Sequence, residues 1–412
     1  MNTEILSKRR ETFVNELKEK AGAVIFSANS SFEYLPFLQD KNFFYFTNLE
    51  IPSSIIYIKE KKNKPFVKLF IEREIPERVV WEGNKMSKEK AKEISGIDNI
   101  GYLDEFERFI SSELNTLEQL YVNYGNSRLN QKKNHPLRFV NQARQDYPHL
   151  RFNKLTDFVK PLRTKKDKWE IEQLQKAIDV TAQGIKKIME TAKSDMMEYE
   201  LEAILFRNIR GNGYKHWGFK PIIAAGKNAT TLHYLKNNCK IEPKQLVLMD
   251  VGAACNNYSA DISRTFPIEE KFSKRQKQVY EAVLYIQKEI INMIKPKVTM
   301  KELNEKTIEL MSEKLKELKL IDDKKDVKKY YMHSIGHHLG LDTHDIGDRN
   351  ATLEAGNVIT VEPGIYIPEE GIGVRIEDDI LVTESGFKNL TAAVPKEINE
   401  LEKIRKKALN RK

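Results

Sequence analysis

Short apolar stretches rich in aromatic and β-branched residues recur early in the chain, at 21–28 (AGAVIFSA), 42–49 (NFFYFTNL), 53–58 (SSIIYI) and 65–71 (PFVKLFI), and predict four strands. Amphipathic patterning over 4–20 and 104–119 predicts helices between and around them. Together these elements predict an α/β domain. The pattern breaks at Lys160-Pro161-Leu162-Arg163-Thr164, and a long amphipathic helix follows in KDKWEIEQLQKAIDVTAQGIKKIMETA. A domain boundary is therefore expected here, giving residues 1–160 and 161–412. Past it, helical patterns at 198–212, 273–293 and 299–317 alternate with paired strands rather than single ones. That arrangement predicts an α+β fold, not a doubly wound parallel sheet.

Composition narrows the class. A chain of 412 residues with 40 % hydrophobic side chains has the length for two or three domains and the material for real cores, which excludes a disordered chain. No apolar run is long enough for a membrane helix, and the charged N-terminal stretch MNTEILSKRRETFVNELKEKAG lacks the features of a secretory signal. The two cysteines, Cys239 and Cys255, have neither metal nor redox spacing. A cytoplasmic protein without a membrane partner is expected. The net charge of +9 is concentrated in 154–168, with six basic against two acidic residues, and in 396–412, with seven against three. No nucleic-acid reading motif accompanies either run, so both are read as solvated faces and no nucleic-acid partner is expected.

Two hairpins hold the chemistry. In MDVGAACNNYSADISRTF (249–266) the polar Cys255-Asn256-Asn257 segment is the natural turn. A turn centred between Cys255 and Asn256 places Asp250 directly opposite Asp261, whereas a two-residue Asn256-Asn257 turn places them diagonally. Residues 357–382 (NVITVEPGIYIPEEGIGVRIEDDILV) repeat the device, and a turn centred at Glu369-Glu370 sets Glu362 opposite Glu377. Carboxylates side by side in apolar strands must be protonated, paired with cations or bound to metal. Arg264 and Arg375 are available as counter-ions, but two such pairs with histidines nearby suit two divalent ions such as Mn²⁺, Co²⁺ or Zn²⁺. Four of the eight histidines, His333, His337, His338 and His344, fall in HSIGHHLGLDTHD, interleaved with Gly336 and Gly340. His233, in ATTLHYLKN, is a weaker candidate.

These residues resemble the pita-bread metallopeptidases, the family of methionine aminopeptidase, prolidase and aminopeptidase P. The likeness spans essentially the whole chain. The ligand order Asp, Asp, His, Glu, Glu is matched by Asp250, Asp261, His337, Glu362 and Glu377, with the D-x10-D spacing of the family. The resemblance implies two metal ions sharing a water or hydroxide, with Asp261 and Glu377 bridging, Asp250 on one ion, and His337 and Glu362 on the other. It implies Glu362 as proton acceptor. His233, His333 and His344 match the active-site histidines of proline-specific members, Arg375 a substrate-contacting arginine, and Tyr366 a pocket-lining tyrosine. Phe219, in GFKPIIAAG, stands where a tyrosine is expected, which removes a hydroxyl from the site.

The N-terminal domain directs the likeness to aminopeptidase P, through YLPFLQDKNFFYFTNLE (34–50) and ERVVWEGNKMS (77–87). The implied activity is release of the N-terminal residue from peptides whose second residue is proline, with Mn²⁺ as the first choice of ion. Prolidase, acting on Xaa-Pro dipeptides, is the alternative. A non-catalytic binding protein on this fold is the rival of another class, disfavoured because all five ligands are present. A homo-oligomer, dimer or tetramer, is implied, with Trp81 as a candidate contact at a neighbour's cleft.

Overall fold

The computed structural model describes residues 2–29, 37–125, 134–348 and 350–410. The chain divides into two compact units, Met1–Leu162 and Arg163–Lys412.

In the first unit, strands β1 (Ala21–Phe26), β2 (Ile55–Lys61), β3 (Lys64–Ile71), β4 (Ile100–Tyr102), β5 (Gln119–Val122) and β6 (Arg151–Lys154) form one mixed sheet in the order β4-β3-β2-β1-β5-β6. Val24, Tyr57, Phe70 and Leu120 pack there against Ile110 and Leu114 of the helix Phe106–Leu114 and Val140 of the helix His135–Asp146. The stretch 42–49 is not a strand. It forms the helix Lys41–Thr47, because the Asp40 side chain accepts from the Phe43 N–H at 2.8 Å and Asn48 closes the other end in the left-handed conformation, φ 56°. The aromatic run that suggested a strand is buried on all sides of this one short helix. Residues 34–36, where the segment 34–50 begins, lie outside the described residues. The helix Pro76–Glu82 buries none of its side chains, and Trp81 is 87 % exposed, so it is not a core tryptophan.

In the second unit, the helix Lys168–Thr191 opens with a capping box between Asp167 and Glu170. It packs against the helix Glu198–Gly211 and against strands that follow. Those strands are β7 (His216–Trp217), β8 (Ile222–Ala225), β9 (Leu246–Val251), β10 (Ala253–Cys255), β11 (Tyr258–Ser259), β12 (Ile262–Pro267), β13 (Val358–Val361), β14 (Gly364–Ile367), β15 (Ile372–Arg375), β16 (Asp378–Val382) and β17 (Phe387–Asn389). They form the sheets β12-β9-β8, β11-β10-β7 and β13-β16-β17 and the ribbon β14-β15. With the helices Lys274–Asn292 and Met300–Glu317, this is an α+β unit.

The first hairpin turns at Asn256-Asn257, both at positive φ (48° and 66°), which matches a two-residue turn that asparagine tolerates. Cys255 therefore pairs with Tyr258 and Asp250 with Ser263, and Asp261 lies diagonal to Asp250 rather than opposite it. The second hairpin keeps its expected register. Val361 faces Asp378 and Gly364 faces Arg375, so Glu362 and Glu377 oppose each other in the break between the two ladders.

Gly252 joins β9 to β10, and a Cβ there would overlap the backbone carbonyl of Ala260. Gly252→Ala is expected to push apart the strands that carry Asp250 and Asp261, lowering stability by about 1–3 kcal/mol, as overpacking does. Thermal denaturation together with the metal content of the purified variant checks this, and both should fall.

The basic runs are not merely solvated faces. Arg163 and Lys166 are 2 % and 4 % exposed, paired with the buried Asp345 at 2.6 and 3.1 Å. Arg405 is fully buried and donates to the Met189 carbonyl at 2.5 Å, because it falls on the inward face of the helix Ile398–Leu409 with Ile398 and Leu401. Charge counts along the chain cannot show which side of a helix a cation occupies.

Candidate metal centre

The two hairpins and the histidine segment 333–345 converge on a cavity of about 740 Å³ in the second unit. Asp250, Asp261, His337, Glu362 and Glu377 all line it, together with His233, His333, His344, Arg375 and Phe219. Single ligand atoms of Asp250, Asp261 and Glu377 lie within 4.8 Å of one another, as do those of His337, Glu362 and Glu377, and those of Asp261, His337 and His344. Glu377 is common to the first two groups and Asp261 to the first and third. His337 Nε2 is 3.4 Å from Asp261 Oδ2 and 3.5 Å from Glu362 Oε1.

Local structure aims these groups. The His337 ring places Nδ1 3.0 Å from the His338 carbonyl, which can only accept, so Nδ1 carries a proton and Nε2 is the ring nitrogen turned toward the carboxylates. The histidine segment lies flat against β13: the His337 N–H donates to Thr360 Oγ1 at 3.1 Å, and the Thr360 N–H donates to the His337 carbonyl at 2.9 Å. Gly336 permits this approach, since a Cβ would overlap the Thr360 carbonyl. Thr360 Oγ1 also donates to Glu362 Oε1 at 3.4 Å, so one threonine orients two of the five groups.

Electrostatically the cavity is crowded with negative charge. Burial, then Asp250, Glu362 and Asp379 nearby, hold the Asp261 carboxyl well above the ordinary carboxylate range. Burial and the neighbouring Asp261, Glu362 and Asp250 do the same to Glu377. Burial also raises Glu362, with His337 and Arg375 pulling the other way. Arg375 pairs with Asp250 at 2.7 Å, while Arg264 is engaged with Asp378 at the same distance and leaves the cluster without its charge. Asp250 Oδ1 is buried with no hydrogen-bond partner among the described residues. An orphaned carboxylate oxygen, three carboxyls pushed above their usual range and one oriented imidazole form a donor set that fits hard-to-borderline divalent cations.

Arg375 sits at the centre of a further layer. Besides Asp250 it donates from Nη1 to the Tyr366 hydroxyl at 3.0 Å and from Nε to Ser263 Oγ at 2.8 Å. Ser263 in turn donates to Glu377 Oε2 at 2.8 Å, and Tyr366 donates to His333 Nε2 at 2.8 Å. His333 Nδ1 donates to the Ser334 carbonyl at 2.8 Å, and burial with Arg375 nearby pushes the imidazole down to about 4, so it is neutral at physiological pH. Tyr366 is fully buried and bonds to two residues of the cavity wall, His333 and Arg375. His233 and His344 are exposed at the cavity, and the His344 ring meets His337 edge-on at 4.2 Å between centroids. His338 is buried with its ring against Gly347 and also lines the cavity, though it belongs to none of the three ligand groups. Trp81 belongs to the first unit.

Ser263 and Thr360 escaped the sequence reading. Both lie in strand text two residues from a ligand, and only alternation along β12 and β13 hints that they face the cluster.

A mixed fold whose buried carboxylates and histidines gather in this way defines a metal-dependent hydrolase. Residues 172–384 match the model of metallopeptidase family M24 and residues 6–121 that of the aminopeptidase P N-terminal domain. The chain belongs to metallopeptidase family M24 and has the pita-bread fold. It is 31 % identical to the Xaa-Pro aminopeptidase of Haemophilus influenzae, with 97 % of each chain covered. A Bacillus anthracis structure solved as a candidate aminopeptidase P superposes with a TM-score of 0.95 at 39 % identity over 99 % of both chains. Aminopeptidase P of E. coli, solved with the inhibitor Pro-Leu, gives a TM-score of 0.91 at 28 % identity over 100 % of both.

Proposed function

We propose that the chain is a metal-dependent Xaa-Pro aminopeptidase, a hydrolase that releases the N-terminal residue from peptides with proline second. The observation that carries this reading is the pair of ligand groups sharing Glu377 inside a cavity that also holds four further histidines and Arg375. Whole-length similarity to Xaa-Pro aminopeptidases supports it over the dipeptidase alternative.

Asp250, Asp261 and Glu377 would hold one divalent ion, and His337, Glu362 and Glu377 a second, with Asp261 also within reach of His337. Mn²⁺ is the first choice and Co²⁺ or Zn²⁺ fit the same donors. Ions held there supply Lewis-acid polarisation of the scissile carbonyl and acidify an attacking water.

The side chains do the rest. Glu362, held by Thr360, accepts a proton from the attacking water and returns it to the departing proline nitrogen. A scissile Xaa-Pro bond has no N–H, so this wall of the cavity needs no acceptor for one, and the ring presents a fixed shape to Phe219 and its neighbours. His233 and His344 bind the peptide around the bond. Neutral His333, with Nδ1–H and Nε2 both engaged, fixes the wall between Ser334 and Tyr366. Exposed Trp81 and Val80 fit a contact with a second copy in a homo-oligomer, and a cytoplasmic location accords with the two unpaired cysteines.

The test is hydrolysis of Arg-Pro-Pro and Gly-Pro by chelator-stripped protein, before and after adding back Mn²⁺, Co²⁺ or Zn²⁺. Metal-restored release of arginine from the tripeptide is the expected result. Cleavage confined to the dipeptide would make the chain a dipeptidase, and no turnover with any ion would overturn the peptidase reading.

A further inference from the structure

We propose that Glu198, outside the ligand set, is a positioning residue that sets His233 in the cavity; the catalytic consequence rests on the peptidase reading above. Glu198 is the first residue of the helix Glu198–Gly211 and is fully buried. Both oxygens are occupied by one segment of chain, the one that leads from β8 to β9. Oε1 accepts from the Ala225 N–H at 2.8 Å and from Asn228 Nδ2 at 2.9 Å. Oε2 accepts from the Tyr234 hydroxyl at 2.8 Å and the Cys239 N–H at 2.9 Å. The Glu198 N–H donates back to the Cys239 carbonyl at 2.9 Å. One turn along the same helix, Glu202 accepts from Asn237 Nδ2 at 2.7 Å, and Asn237 also bonds the Pro221 carbonyl and the Ile223 N–H.

The segment thus clasped carries His233 between Leu232 and Tyr234, which pack into the apolar cluster of Ile222, Ala224 and Leu248, and the bonds to Glu198 fix how that segment is turned. His233 is exposed at the cavity, and Leu235 is 41 % exposed. Tyr234 points the other way, into the interior, 8 % exposed, with its hydroxyl on Glu198. Alternation along the chain therefore converts a buried tyrosine anchor into the direction of the neighbouring imidazole. A carboxylate is the suitable anchor: four donors converge on it, two of them main-chain N–H groups that cannot rotate away, and the helix N-terminus favours its charge. Glutamine in its place would turn an NH₂ toward at least one N–H.

The experiment is a double-mutant cycle on the metal-loaded enzyme with an Xaa-Pro-Yaa substrate. Glu198→Gln is expected to lower kcat/KM by about ten- to hundredfold, the scale of a small misplacement, with metal content unchanged. In a His233→Ala background the same change is expected to cost little, since the group it positions is gone. Tyr234→Phe, which deletes one donor and keeps the ring, should act in the same direction less strongly and guards against a Glu198→Gln variant that fails to fold. Equal losses with and without His233, or no loss in its presence, would overturn the proposal. If the wild-type protein cleaves no Xaa-Pro peptide, the peptidase reading fails, and amide exchange with His233 imidazole NMR still decides the positioning. Faster exchange at Ala225 and Cys239 with a shifted His233 resonance in the variant supports it, and an unmoved His233 resonance overturns it.

Discussion

Asp261→Asn is expected to lose bound metal and, with it, more than about 100-fold in activity, the upper end of what changes to outer-shell partners cost. The same variant, metal-free, should melt no lower than the metal-free wild type. The Asp261 carboxyl is buried beside Asp250, Glu362 and Asp379, and its own N–H donates to Asp379 Oδ2 at 3.2 Å. Without cations the charge is a burden on the fold, and an isosteric amide removes it. With cations it is a ligand the amide cannot replace. Asp378 provides the contrast within the same unit. It is equally buried, but it is paired with Arg264 and Lys396, which hold its carboxyl down to about 2. Asp378→Asn leaves those cations uncompensated and is expected to destabilise by about 3–5 kcal/mol regardless of metal. Melting curves of both variants, stripped and reloaded, with metal analysis, make the comparison. Full metal content or retained turnover in Asp261→Asn would contradict the ligand assignment.

The difference between these two aspartates marks where sequence reading ran out. Asp250, Asp261, Glu362 and Glu377 could be placed together because strand pairing is periodic and the turns announce themselves in Asn256-Asn257 and Pro368-Glu369-Glu370-Gly371. The exact turn still had to choose between two registers, and left-handed asparagines chose the diagonal one. The Lys41–Thr47 helix was misread because its side chains are buried all round, which erases periodicity, although Asp40 and Asn48 carry legible cap chemistry. Arg163, Lys166 and Arg405 looked like surface because their partners, Asp345 and main-chain carbonyls, are distant in sequence or invisible in it. Ser263, Thr360 and Glu198 act through geometry alone: each is an ordinary residue in strand or helix text until the fold places it under a ligand or a loop.

Metal removal is expected to reverse the pH dependence of stability. In the stripped protein the carboxyls of Asp261, Glu362 and Glu377 are raised above their unfolded values. Their contribution favours the folded state fully below the ordinary carboxylate range, near about pH 4, and is lost as the pH rises through the raised values. Arg375 and His337 oppose the repulsion at Glu362, but Asp261 has burial and three acidic neighbours acting together. Bound cations invert the sign, since they favour the ionised carboxylates, and the stability they add is present at neutral pH and lost on acidification. Two ions, each at a hundredfold excess over Kd, add about 2.7 kcal/mol apiece. For a unit of this size that is a rise in Tm of roughly 10–20 °C. The gap between reloaded and stripped melting temperatures should therefore widen between about pH 5 and 8, and titration calorimetry in buffers of different ionisation enthalpy should show protons released on metal uptake. A gap independent of pH, with no proton release, would mean that the stripped site already holds its carboxylates ionised. In that case Arg375 would balance more of the cluster than its single contact with Asp250 provides.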